Sequence, residues 1–290
     1  METSELIKKV RKIEIKTRGL SDQIFSGQYH TAFKGKGMAF SEVREYQYGD
    51  DIRSIDWNVT ARFNHPYIKI FDEERELTVM LLIDISGSNE FGTQKQLKRE
   101  LITEVAAVLS FSAIRNNDKV GVIFFSTKVE KFIPPKKGTF HILRIIRELI
   151  NIKPENNGTD ITEALKFFTN AIKKRSISFI ISDFIGKDFE EALKIANRKH
   201  DVIALKINDL REKEIPDVGL MRVKDAETGK THWIDTSSKV LREMYKKYKM
   251  DESEKLKNIF IKSGVDSVEL DTGEDFIKPL KKLFKKREAR

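Results

Sequence analysis

Asp84, Ser86 and Ser88 alternate in Asp84-Ile85-Ser86-Gly87-Ser88, a segment that opens at the last residue of the apolar run LTVMLLID, residues 77–84. A second run, SISFIISD at 176–183, also ends in a carboxylate, Asp183. Between them Thr159 sits in Gly158-Thr159-Asp160, just ahead of a helical pattern, with Thr162 close by as an alternative hydroxyl. Continuous apolar runs fit parallel strands buried on both faces. In open α/β sheets ligands bind beyond the carboxyl ends of the strands, so these residues are expected to share one edge. Carboxylates and hydroxyls are hard oxygen donors, which Mg²⁺ or Mn²⁺ prefers. Gly87 lets the backbone turn tightly between the two serines. With only two carboxylates offered, Mg²⁺ would keep several waters and an open position for an acidic group from outside.

The elements that must position these side chains follow from periodicity. A helix is predicted over 93–116, then a strand at 119–126 and a short antiparallel edge strand at 129–134. Helices at 138–150 and 160–174, the strand at 176–183, a helix at 187–198 and a strand at 201–207 continue the alternation. Residues 216–236 interrupt it with a β-hairpin, and a helix at 237–262, a strand at 265–271 and a helix at 274–287 close the chain. Strands alternating with helices predict a doubly wound, mostly parallel six-stranded sheet over residues 75–290. Residues 1–74 are expected to form an N-terminal helix at 4–18 and a loop-rich extension packed on that core.

Composition excludes some chemistry. The 290 residues contain no cysteine, which removes disulfides, thiolate metal sites and cysteine nucleophiles. The five histidines show no metal-ligand spacing, and the Lys-Gly-Lys-Gly stretch at 34–37 lacks the Lys-Ser/Thr ending of a phosphate loop. The N-terminal residues carry no apolar core of a signal peptide, and no run reaches the roughly 20 apolar residues of a membrane span, so a cytoplasmic protein is expected. The net charge of +9 is spread along the chain and thickens only in KPLKKLFKKREAR. There Phe276, Ile277, Leu280, Leu283 and Phe284 predict a helix docked on the core with its lysines outward.

Two resemblances extend this reading. Asp84-Ile85-Ser86-Gly87-Ser88, Gly158-Thr159-Asp160 and Ser182-Asp183 resemble the metal-ion-dependent adhesion site of von Willebrand factor A-type (vWA) domains. That resemblance implies metal-ligand roles for Asp84, Ser86, Ser88, Thr159 and Asp183. Residues 33–88 closely resemble the domain-of-unknown-function 58 family, through Arg44, Glu45, Tyr46, Gly49, Asp50, Arg53, Asp56, Trp57, Ala61 and Arg62. Proteins of that family are associated with MoxR-type AAA+ ATPases as adaptors or substrates, so the resemblance implies such a partner.

In the 44–62 cluster, bidentate Arg–carboxylate pairs are expected to hold a segment with little regular structure. Arg53 and Trp57 are expected to be buried, Trp57 as an anchor on the α/β domain. The favoured reading is a non-enzymatic, metal-dependent protein-binding module, since no nucleophile stands beside an evident general base. The alternatives are a Mg²⁺-dependent phosphohydrolase with Asp84 as nucleophile, and nucleic-acid binding through the basic C-terminal helix.

Overall fold

A computed structural model describes residues 39–72, 77–90, 92, 97–224 and 231–289. The helix expected at 4–18 and the Lys-Gly-Lys-Gly stretch lie outside the described residues. The chain divides into two units, one of residues 34–77 and one that contains everything from Thr78 onward.

The smaller unit is more regular than its sequence suggests. Strands β1 (Ala39–Glu45) and β2 (Tyr67–Asp72) form an antiparallel ribbon, with an irregularity between Phe40 and Glu42. Helix α1 (Trp57–Phe63) lies between them. Asp56 caps it, its Oδ1 accepting from the Asn58 and Val59 N–H groups, and Asn64 ends it in the left-handed conformation. Periodicity in the sequence announces neither these strands nor this helix. The ribbon escapes a pattern search because its strands are far apart in sequence and its irregularity breaks the period-two alternation. One expected bidentate pair is present, Arg44 to Asp50 at 2.9 and 2.7 Å. Burial of Arg53 and Trp57 is not: Arg53 is exposed and Trp57 is 67% exposed. As the first residue of a helix whose residues are nowhere fully buried, Trp57 projects from the surface.

The larger unit is built on a six-stranded sheet of order β10-β7-β6-β3-β4-β5. Its strands are β3 (Thr78–Asp84), β4 (Lys119–Phe125), β5 (Val129–Lys136), β6 (Ile177–Ser182), β7 (Asp201–Asn208) and β10 (Asp266–Asp271). All neighbours pair in parallel except β5, which runs antiparallel to β4 at the edge. This is the predicted doubly wound, mostly parallel architecture. Val79 to Ile83 are wholly buried, as a strand covered on both faces requires. At Gly121 on β4 an added Cβ would lie 2.7 Å from Met80 Sδ and 2.9 Å from Pro135 N, so a side chain there has no room.

Helix α2 (Lys98–Arg115) is a core helix, with Leu101, Ile102, Val105, Val108 and Leu109 all buried. Arg99 on it donates to the carbonyls of Leu149 and Ile150 at 3.2 Å, capping the last turn of α3 (Thr139–Asn151). Helices α4 (Ile161–Ala171) and α5 (Glu190–Lys199) pack on one another, with Phe168, Leu193 and Ala196 in a core that also takes in Met80 and Ile180. After β7 come the short helix α6 (Leu210–Lys213) and the antiparallel pair β8 (Leu220–Lys224) and β9 (Thr231–Asp235), the expected hairpin. The long helix α7 (Lys239–Lys262) and α8 (Ile277–Glu288) complete the unit. On α8 Ile277, Leu280, Leu283 and Phe284 are buried while its lysines line the other face, as predicted. Arg287 fixes its end through Asp266 at 2.7 Å and Asp201 at 2.5 Å.

Candidate metal site

Strand β3 lies beside β6; the chain leaves β3 toward β4 and leaves β6 toward β7, in opposite directions, so the crevice beyond their carboxyl ends is a topological switch point. Asp84, its last residue, pairs in register with Phe125. Burial takes Asp84 to 1% exposure. The chain then turns back at once: Ser86 N–H donates to Asp84 Oδ1 at 2.8 Å, and residues Gly87–Glu90 close a 3-10 turn. This local loop closure brings the Ser86 and Ser88 hydroxyls to 3.0 Å from each other. Asn89 braces the turn, its amide donating to Asp84 O at 2.9 Å.

The second loop meets the first through the backbone, Gly87 N–H donating to Asn157 O at 3.0 Å. Thr159 follows, buried, with its hydroxyl 3.5 Å from Asp84 Oδ2. Thr162 points elsewhere, donating to Asp188 O at 3.1 Å. Asp160 acts as the N-cap of α4, accepting from Glu163 N–H at 3.1 Å.

The third loop starts at the end of β6. Ser182 donates to Asp84 Oδ2 at 2.6 Å and its hydroxyl accepts from Phe184 N–H at 3.0 Å. Asp183 is buried, with Oδ1 accepting from Ile185 N–H at 3.2 Å. Phe184 takes a left-handed backbone, φ 58°, and is held there by rings of Phe189 and Phe260. A bulky residue in that conformation is strained, which a surrounding that over-determines it can sustain. Gly186 follows at φ 149°, where a Cβ would come within 3.1 Å of Thr159 O. All five residues singled out from sequence thus gather at one end of the sheet, on three loops tied to one another by hydrogen bonds.

Electrostatics give the cluster its character. Burial, followed by the charge of Asp183, pushes the Asp84 carboxyl up to about 6, against the hydrogen bonds from Ser182 and Ser86 that pull it down. Two buried carboxylates at close quarters repel, and a dication among them would offset both burial and repulsion. Among the described residues no three His, Cys, Asp or Glu side chains converge as a metal-binding group. The oxygen set is instead two carboxylates with three hydroxyls, and its donor chemistry fits Mg²⁺ or Mn²⁺.

Sequence reasoning missed Lys98. This first residue of α2 is wholly buried, its ammonium 3.2 Å from Asp183 Oδ2 and 2.5 Å from Glu212 Oε1. The sequence reading places it inside the helix expected at 93–116 and gives it no role. In the structure it stands in the first turn, where the helix dipole disfavours a cation unless carboxylates hold it. Ser182, quoted only as a neighbour of Asp183, was the other omission.

Sheet order, switch point and loop chemistry together define a vWA-like α/β domain. The chain matches the family described as protein of unknown function DUF58 over residues 42–255, and it belongs to that family. It is 30% identical over 223 residues to the uncharacterized protein Mb1516 of Mycobacterium bovis, covering 76% of this chain and 70% of that protein. Its fold is similar to that of an aerotolerance-related membrane protein from Bacteroides fragilis, at 17% identity and a TM-score of 0.50, over 73% of this chain and 98% of that one. A conserved hypothetical protein, BatB from Bacteroides thetaiotaomicron, aligns at 18% identity and a TM-score of 0.49, over 74% of this chain and 100% of that one. Among the described residues, no helix is long and apolar enough to cross a membrane.

Proposed function

We propose that this chain is a non-enzymatic protein-binding module that takes hold of a partner's acidic side chain through a divalent cation, Mg²⁺ or Mn²⁺. Asp84, Ser86, Ser88, Thr159 and Asp183 hold the cation, directly or through water. The cation supplies a concentrated positive charge with an exchangeable position, to which an Asp or Glu of the partner binds. The chain's own residues do the positioning. Ser182 and the Ser86 N–H orient Asp84, Asn89 fixes the serine turn, and the Gly87–Asn157 bond sets the second loop against the first.

The observation that carries this reading is the convergence of the Ser86 and Ser88 hydroxyls, 3.0 Å apart, beside a carboxylate whose burial makes it short of positive charge. Family membership and a vWA-like fold are consistent with it, and the family resemblance points to a MoxR-type AAA+ ATPase as the partner, with the chain as its adaptor or assembly factor in the cytoplasm. The reading assigns no catalytic residue, because both serines and both aspartates are given over to the cation.

Capture of a MoxR-type ATPase on immobilised protein tests the reading, run with Mg²⁺ and with EDTA. Retention with Mg²⁺ alone, lost in Ser88→Ala without loss of solubility, is the expected result. Mg²⁺-dependent hydrolysis of a phosphate ester that disappears in Asp84→Asn would overturn it in favour of an enzyme.

A further inference from the structure

Lys98 is an expensive residue to keep where it is. Its side chain is wholly buried, and it stands at the amino end of an 18-residue helix, whose dipole repels a cation. Two carboxylates hold it there. Asp183 Oδ2 lies 3.2 Å away on the loop after β6, and Glu212 Oε1 2.5 Å away on α6, after β7. Glu212 is itself anchored, its Oε2 accepting from Asp209 N–H at 3.1 Å and its carbonyl from the Tyr245 hydroxyl at 3.0 Å. The order is therefore Asp84, Asp183, Lys98, Glu212, alternating in charge from the second member onward.

We infer that Lys98, with Glu212 behind it, sets the cation affinity of the site: its positive charge on Asp183 lowers the negative charge available to a dication, and Glu212 limits how far. This rests on the metal-binding reading above. Asp84 and Asp183 alone present two negative charges. An ammonium at hydrogen-bond distance from one of them withdraws a large part of that charge in a buried, low-dielectric setting. Glu212 draws the same ammonium toward itself and returns part of the charge to Asp183. A site so weakened favours an incoming carboxylate on the cation, because the ligand restores the charge that Lys98 removes.

The two residues thus act in opposite directions, which a merely structural pair does not. Mn²⁺ alone is titrated calorimetrically into the intact chain, for the parent, Lys98→Met, Glu212→Gln, the double variant and Asp84→Ala. Lys98→Met is expected to bind Mn²⁺ at least about tenfold more tightly than the parent, and Glu212→Gln about tenfold more weakly. The double variant, which removes one charge of each sign, should bind more tightly than Glu212→Gln. Thermal unfolding in EDTA identifies any variant that fails to fold. Should Lys98→Met be one, the comparison of Glu212→Gln with the double variant decides. Both single variants shifting in the same direction, or Glu212→Gln and the double variant binding alike, overturns the inference while the metal site stands. Asp84→Ala binding Mn²⁺ as the parent does, or no binding by any variant, removes the metal reading and this inference with it.

Discussion

The Ser182 hydroxyl donates to Asp84 Oδ2 at 2.6 Å, joining the last residue of one central strand to the last residue of its neighbour. That bond favours the ionised form of Asp84, against the burial and the Asp183 charge that raise its pKa to about 6. Ser182→Ala should therefore raise the Asp84 pKa further. A proton then competes with the cation over a wider pH range. Mn²⁺ affinity, measured by calorimetry, should fall within about threefold at pH 8 but about tenfold or more at pH 6. An equal loss at both pH values would mean that Ser182 acts by shape and not through the ionisation of Asp84.

Asp84→Asn separates stability from binding. A carboxyl with a folded pKa of about 6 against an ordinary 3.8 takes up a proton on folding. Its ionisation costs stability, a cost absent below pH 3.8, growing through the window up to about 6 and constant above it. In EDTA at pH 8 the Asn variant should be more stable than the parent, by up to about 3 kcal/mol. Divalent cations should stabilise the parent and leave the variant unchanged. Thermal unfolding in EDTA and in excess Mn²⁺ checks both, and a variant less stable than the parent in EDTA sinks the electrostatic account.

Gly186→Ala tests the third loop. At φ 149° a side chain is strained, and its Cβ would press on Thr159 O at 3.1 Å. A destabilisation of about 1–3 kcal/mol in urea is expected, with Mn²⁺ affinity reduced because Thr159 is displaced. Parental stability and affinity together would show that the loop can relax without moving Thr159.

Trp57→Ala probes the smaller unit. With the residue 67% exposed, truncation should change stability by no more than about 0.5 kcal/mol, instead of the several kcal/mol that a buried indole would give. Urea unfolding decides between the two. If partner capture falls while stability holds, the tryptophan belongs to a docking surface.

These outcomes trace what the sequence could reveal. Asp84 and Asp183 were legible because one closes an apolar strand and the other directly follows one, and strand ends in a parallel sheet share an edge. The hairpin and the docked C-terminal helix were legible from alternation and from the spacing of Leu280, Leu283 and Phe284. Lys98 was not, because burial of a charge depends on partners 85 and more residues away, Asp183 and Glu212, which no local period encodes. Trp57 was misjudged on residue type alone: large aromatics are usually buried, but this one begins a short surface helix. The β1–β2 ribbon was hidden by its irregularity and by the helix between its strands.

The antiparallel edge strand β5 has a consequence for recognition. An unguarded edge offers a row of free amides and carbonyls on which a foreign segment can zip. In β5 the pairing with β4 shifts between Val120 and Val122, opposite Pro134 and Pro135, and neither proline has an amide hydrogen to give. Lys131, paired with Glu148 at 2.6 Å, adds charge along the same strand. Main-chain templating is thereby discouraged at this margin, against both self-assembly into fibres and capture of extended peptides. At this margin of the sheet, side chains are left as the contacts on offer, and such a contact can be made or broken by a single residue.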